Sequence, residues 1–416
     1  MGHSPIDVNN LSQKALTASQ NEDYALAVRL YEQCVSLSPN DATLHFNLAS
    51  TYRILGNLEQ ARIHYSRSIA LNENDAEAWY FRSLTTKATS EQNHIAQLQT
   101  MLNQKIESPK LEVHLWFALG KEFDDLKEWE QAKQAIQRGA FLRRKHIHYD
   151  VREDLNIMNS IKNTFHKSMF KKVASEDQEQ PIFIVGLPRA GSTLVERILS
   201  MHEDITVAGE LLDFPQAVNK AVAQAAKSGA FLGKIDSPKV SKTKLVELTS
   251  LVDLEAIRTN YLDSTKKYQT HTHFIDKNPL NFLQLGLIHQ AFPNAKIIHV
   301  TRSKKAHMWS IFRHLFSHAY PFSYNLDEIE HYYEGYRQVM SHWHQSFGEQ
   351  IFELEYESLV DAPQAEAKAL FSFLGKAWDE RFLEFHNENN APSATGSASQ
   401  IREPLNTHAL NRPPLI

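Results

Sequence analysis

The residues best suited to chemistry stand in the run PIFIVGLPRAGSTLVERILS, positions 181–200. Apolar Ile182 to Val185 show no alternation, which predicts a strand buried on both faces, and the stretch from Thr193 predicts an amphipathic helix. Gly186 and Gly191 occupy the two glycine positions of a Walker A loop, in which backbone amides and a helix N-terminus cradle a phosphate. In a nucleoside triphosphatase the second glycine is followed by Lys, which reaches the outer phosphates; here that residue is Ser192. A kinase, with its magnesium-dependent ATP, is thereby disfavoured. Positive charge moves instead to Arg189 inside the loop, which suits a ligand carrying a phosphate and a neighbouring sulfate and requiring no metal clamp.

The segment Pro188-Arg189-Ala190-Gly191-Ser192-Thr193 resembles the 5'-phosphosulfate loop of sulfotransferases, their protein-tyrosine branch in particular. The family's other elements follow in order. Apolar Ile297 to Val300, a second buried-strand candidate, ends in Thr301-Arg302, and Ser310 stands further along the next helical stretch, similar to the family's Arg and Ser pair for a 3'-phosphate. Arg302 can grip that phosphate through two parallel bonds while Ser310, about two helical turns on, adds a hydroxyl; Arg313 adds charge nearby.

The resemblance implies an α/β P-loop domain with a central parallel sheet, and 3'-phosphoadenosine 5'-phosphosulfate (PAPS) as co-substrate. It implies that Arg189, Ala190, Gly191, Ser192 and Thr193 hold the 5' end, with Tyr356 near the nucleotide. It further implies Glu210 as the base for an attacking phenol or alcohol, a contribution of about 10²- to 10⁴-fold. Lys277 would neutralise the oxygen bridging phosphate and sulfur, supported there by Ser397, and Arg189 would share that charge. The same residues have plain structural uses: a salt bridge or helix cap for Glu210, an ion pair for Arg302, core packing for Tyr356 and a polar loop for Ser397.

What positions these residues is a chain of 416 residues, long enough for two cores. The first part repeats itself at about 34 residues, the period of tetratricopeptide helix pairs. Ala27, Tyr31, Leu37, Asn40 and Asp41 fall onto Ala61, Tyr65, Leu71, Asn74 and Asp75. A third unit from Ala76 keeps Trp79 and then degenerates, and a fourth recovers Leu119, Phe123, Leu126, Ala132 and Ile136, about four units in all. The expected organisation is an all-α repeat domain over 1–165, a linker over 166–180 and the sulfotransferase-like domain over 181–416. A concave stack of helix pairs suits a protein or peptide partner, through which it recruits an acceptor, or a scaffold or homodimer contact. Between these uses the sequence does not choose.

With 44 basic against 49 acidic residues, the chain lacks the electrostatic footprint of a nucleic-acid binder. Its single Cys34 excludes an internal disulfide framework and points to the cytoplasm, and no segment has the apolar length to span a membrane. The pairs His146/His148, His271/His273 and His342/His344 lack zinc-site spacing and read as surface or packing residues, so no metal is expected. Leu212 stands where the protein-tyrosine enzymes place an Arg that meets acidic peptides. The acceptor hydroxyl is therefore left open among protein tyrosine, sugar, lipid and small phenol, with the region from Asp213 to His271 expected to shape its site. The other function class is a repeat scaffold whose P-loop domain binds nucleotide without turnover, a reading suggested by the short C-terminal segment ending in Asn411-Arg412-Pro413-Pro414-Leu415-Ile416.

Overall fold

Small residues set how closely two helices cross. In the repeats Ala27 and Ala61 are fully buried at equivalent positions, beside the buried rings of Tyr31 and Tyr65. The computed structural model describes residues 7–104, 106, 108–170, 181–231, 240–271, 273–316, 319–388 and 405. Within them α1 (Val8–Gln20) pairs with α2 (Tyr24–Leu37), and α3 (Ala42–Leu55) with α4 (Leu58–Leu71). Asp23, Asp41, Asn57 and Asp75 each accept a first-turn amide of the helix that follows, so the repeated Asp at 41 and 75 is an N-cap. The degenerate third unit is two short helices, α5 (Ala76–Ser83) and α6 (Ile95–Leu102), both packed on α7 (Pro109–Asp125). With α8 (Trp129–Lys145), α7 restores a full hairpin, and α9 (Val151–Thr164) follows.

The second half is built on five parallel strands. They are β1 (Ile182–Gly186), β2 (Ile205–Val207), β3 (His273–Lys277), β4 (Lys296–Thr301) and β5 (Ile351–Glu355), in spatial order β2-β3-β1-β4-β5. The chain reverses its direction of travel at β1, which lies between β3 and β4, and open parallel sheets bind ligands at the carboxyl ends of strands at such a point. α10 (Ser192–Leu199) follows β1; α11 (Asp213–Lys227), α12 (Lys242–Thr249) and α13 (Leu254–Thr265) fill the stretch between β2 and β3. The remaining helices are α14 (Leu285–Ala291), α15 (Lys304–Phe312), α16 (Leu326–Phe347), α17 (Tyr356–Asp361) and α18 (Pro363–Phe373). β1 is buried on both faces: Ile182 and Ile184 join the cluster under α10 and α18, while Phe183 and Val185 join the larger cluster on the other side.

That larger cluster runs without a break from the repeats, through Trp79 and Phe117, to Phe183 and Trp343 beside the sheet. α9 packs on α16 and α12, and in the stretch read as a linker Phe170 stacks edge-on against His289, Trp343 and Phe347. Polar ties cross the same boundary. Arg144 of α8 forms a two-pronged bridge to Glu328 at 2.8 and 2.7 Å, and Arg313 donates to Asp124 of α7 at 2.6 Å. The Asp124 carboxylate is almost fully buried and Arg313 partly so, so truncating the acid strands a cation. Asp124→Ala is expected to lower unfolding stability by about 2–3 kcal/mol, less than a fully buried pair would cost because water reaches Arg313. A denaturant titration with an unchanged midpoint would show that the bridge adds nothing.

Candidate functional site

The carboxyl ends of all five strands deliver one candidate residue or loop apiece. In sheet order these are Glu210 after β2, Lys277 closing β3, the 187–191 loop after β1, Arg302 after β4 and Tyr356 after β5.

The loop owes its shape to two glycines. A side chain at Gly186 would meet the Val300 carbonyl oxygen at 2.6 Å, and one at Gly191 would meet Tyr356 Cδ2 at 2.5 Å. Gly191 also has φ 112°, and Arg189 is held at φ 70°, so the backbone turns back on itself before α10 begins. Ser192 and Thr193, both buried, lie in the first turn, where helix geometry leaves amides without intrahelical acceptors. Ala190 is fully buried beneath. His307 of α15 fixes the outer wall through Nε2 and the Pro188 carbonyl at 2.9 Å. Burial drives its pKa down to about 3, so the ring is neutral and donates.

Arg189 and Arg302 stand side by side, with Arg302 Nη1 donating to the Arg189 carbonyl at 3.4 Å. The Arg302 guanidinium lies over the Tyr356 ring, 4.7 Å from its centroid, and its Nε is 3.8 Å from Glu357. Burial first, then the neighbouring Arg313 and Arg302, pulls the pKa of Arg189 down to about 9. An entering anion would offset both the desolvation and the neighbouring positive charge. Arg313 adds charge here, as its effect on Arg189 shows, and is itself bound to Asp124. Ser310 is buried within α15. Ser397 lies outside the described residues.

Lys277 is almost fully buried, its ammonium 2.7 Å from Glu210 Oε1 and 3.8 Å from Glu196 Oε2. Glu196, on α10, is the partner that sequence reasoning missed; it sits four residues beyond Ser192 on the same helix, which was the one available signal. Burial pushes its carboxyl upward and Lys277 pulls it back. The segment bearing Glu210 is stitched to β3: Lys277 N donates to the Gly209 carbonyl at 2.9 Å, and Asn278 Nδ2 to the Leu211 carbonyl at 2.7 Å. Asn278 also shapes its own turn, its Oδ1 capping it at the Leu280 amide.

Arg189, Ser192, Thr193 and Glu210 line a cavity of about 570 Å³. Its opposite wall comes from the repeats, through Arg53 of α3, Tyr80 and Phe81 of α5, Lys110 and His114 of α7, and Arg143 of α8. Leu315, Phe316 and Tyr320 close the side, and among the described residues none of the lining belongs to 213–271, the region expected to shape this space, of which 232–239 lie outside the described residues. Arg302 lines a second cavity, of about 490 Å³, with Ser303, Lys304 and Arg337.

Residues 181–380 match the sulfotransferase family and residues 18–84 the tetratricopeptide repeat. This chain carries a sulfotransferase-family domain behind a tetratricopeptide repeat. An uncharacterized protein of Aquifex aeolicus (strain VF5) is 30% identical over 84% of this chain, which spans 45% of that protein's length. A putative protein-tyrosine sulfotransferase of Caenorhabditis briggsae is 24% identical, over 56% of this chain and 80% of its own. Protein-tyrosine sulfotransferase 1 of Danio rerio is 24% identical over 56% of this chain and 64% of its own. No described helix is long and apolar enough to cross a membrane.

Beside Lys277 on β3, and pointing to the other face of the sheet, Asp276 is fully buried and accepts from Tyr261 at 3.0 Å and Asn281 at 3.2 Å. Burial raises its pKa from 3.8 to about 8. The unfolded chain releases this proton near pH 4 and the folded chain near pH 8, so folding binds a proton in between and Asp276's contribution to stability falls as pH rises through that window. Relative to wild type, Asp276→Asn is expected to be more favourable at pH 8 than at pH 5 in urea unfolding. Equal differences at both values would mean that the acid is ionised in the folded protein.

Proposed function

We propose that this chain moves a sulfuryl group from PAPS to a hydroxyl-bearing acceptor by in-line displacement, in two domains divided near 166–180. The observation that carries the reading is the shared cavity: the phosphate loop with Arg189, and Glu210 ion-paired to the buried Lys277, face one space large enough for an acceptor group. The residues suit this donor. Loop amides at Gly191, Ser192 and Thr193 offer hydrogen bonds to a 5'-phosphate, and Arg302, next to Arg189 yet lining its own cavity, offers a guanidinium to a 3'-phosphate.

In the reaction the acceptor oxygen bonds to sulfur as sulfur's bond to the bridging phosphate oxygen breaks. The electron pair of the broken bond stays on 3',5'-adenosine bisphosphate, and the hydroxyl proton passes to Glu210. Lys277 is placed to work on both sides of this exchange. Its ammonium balances Glu210 before reaction; as charge grows on the departing oxygen it turns to that oxygen, and the carboxylate left behind takes the proton. Arg189 shares the developing charge. No metal enters this scheme.

The repeats supply the acceptor's other wall, so recruitment takes place within the site and not in a remote groove. Leu212 is 62% exposed and offers no charge. The cations Arg53, Lys110 and Arg143 stand on the repeat side against Glu77, which favours an acceptor carrying negative charge near its hydroxyl, with Tyr80, Phe81 and Phe316 to flank an apolar ring or chain.

Glu210→Gln is expected to lower turnover by about 10²- to 10⁴-fold while calorimetry shows unchanged affinity for adenosine 3',5'-bisphosphate. Loss of nucleotide affinity together with turnover would assign Glu210 to binding. Arg302→Ala is expected to weaken adenosine 3',5'-bisphosphate by about 10- to 100-fold and to leave AMP affinity unchanged. If wild-type protein binds AMP as tightly as the bisphosphate, the donor is not PAPS.

A further inference from the structure

Three side chains that the transfer scheme does not use converge beside β4, in the same cavity of about 490 Å³ that Arg302 lines. His299 lies mid-strand on β4, Glu353 is its register partner on edge strand β5, and His344 reaches them from α16. His299 Nδ1 is 3.3 Å from His344 Nε2, His344 Nε2 is 3.3 Å from Glu353 Oε2, and Glu353 Oε2 is 3.7 Å from His299 Nδ1. Among the described residues this is the group of His, Cys, Asp or Glu side chains whose ligating atoms come together closely enough to hold one ion.

The dimensions of that triangle are informative. Ligand atoms about 2.0–2.1 Å from a tetrahedral zinc ion stand about 3.3–3.4 Å from one another, so the three atoms already approximate one face of a zinc tetrahedron. A pair of hydrogen-bonded imidazoles needs no third group at the same spacing. The outer contact is also what a metal-bound histidine requires. His299 Nε2 bonds the hydroxyl of buried Tyr336, which fixes the ring and turns Nδ1 inward. His299 is buried, His344 partly exposed and Glu353 more so, and all three line the cavity of about 490 Å³, which leaves a fourth position for water. Two imidazoles and one carboxylate suit zinc over magnesium or calcium, which take oxygen ligands.

We infer that His299, His344 and Glu353 form a site for a zinc-class divalent cation that ties α16 and edge strand β5 to β4. This reverses the expectation for His344, which was read as a surface or packing residue with His342. His342 keeps the packing reading, bonded through Nε2 to the Phe165 carbonyl at 2.7 Å. Sequence spacing could not reveal the site because its ligands come from two strands and a helix, with His299 standing 45 residues from His344 along the chain.

The test is calorimetry on the full chain after chelator dialysis, with Zn²⁺ and Mg²⁺ as titrants. About one Zn²⁺ per chain is expected, with no saturable Mg²⁺ binding, and with zinc affinity at least tenfold weaker in His344→Gln and in Glu353→Gln. Both residues are partly exposed, so the variants are expected to fold, as circular dichroism will check; His331→Gln, an exposed histidine on the same helix, controls for adventitious binding. Absorption of the Co²⁺-loaded protein should show the intense visible bands of a tetrahedral complex. Absence of zinc binding in the wild type, or equal affinity in wild type and His344→Gln, would overturn the site.

Discussion

The constraint on which the site's arrangement depends is the burial of one ammonium, because a lysine almost wholly removed from water needs compensating charge that the fold must bring to it. Lys277 ends β3 in that condition. Glu196 arrives from the helix after the phosphate loop, and Glu210 from the segment after β2. Meeting the need at Lys277 therefore fixes three separate pieces of chain against each other. The two acids are not equivalent. Glu196 is as buried as the lysine, whereas about half of the Glu210 side chain faces the cavity, so Glu210 is the one an incoming hydroxyl can reach. Tyr356 plays the corresponding steric part on the other side of β1. Its ring occupies the space a side chain at position 191 would need and carries Arg302 on its face, so loop shape and guanidinium position are set by one residue.

Much of this was legible in the sequence. The unbroken apolar runs at 182–185 and 297–300 became neighbouring central strands, since burial on both faces removes any reason to alternate. The repeated Ala, Tyr and Asp positions became crossing points and caps, because both depend on local geometry that recurs with the repeat. What stayed hidden was long-range. Nothing at Asp124 marks it as Arg313's partner, 189 residues away, and Glu196, for all its place four residues beyond Ser192, has no visible partner until β3 is laid beside α10. The third repeat illustrates the opposite case: its sequence degenerates, and the structure replaces a hairpin with two short helices that lean on α7.

The wall opposite the phosphate loop was misplaced for a similar reason. Residues 213–271 were natural candidates because they interrupt the strand pattern beside Glu210, yet α11 and α13 are held by the aromatic packing of Phe183, Phe214, Tyr261 and Phe292 beneath the sheet. Their apolar surface is consumed by the core. The open side of the loop is left to the repeats, which present Arg53, Lys110 and Arg143 beside the rings of Tyr80 and Phe81.

This placement makes the repeats part of the site's electrostatics as well as its walls. Arg313 lies close enough to Arg189 to oppose its charge, and the carboxylate that offsets Arg313 belongs to α7 of the repeats. Were the repeats merely tethered, that carboxylate would be lost whenever they swung away, leaving Arg189, Arg302 and Arg313 clustered with less compensation. Charges so arranged favour a docked state in which Asp124 satisfies Arg313 and an anionic ligand satisfies Arg189 and Arg302. The continuous apolar cluster from Trp79 to Trp343 supplies the bulk of that docking, and the ion pairs of Arg144 and Arg313 fix its register. An acceptor entering the cavity thus meets two surfaces held in one geometry, as an in-line transfer requires of its reacting atoms.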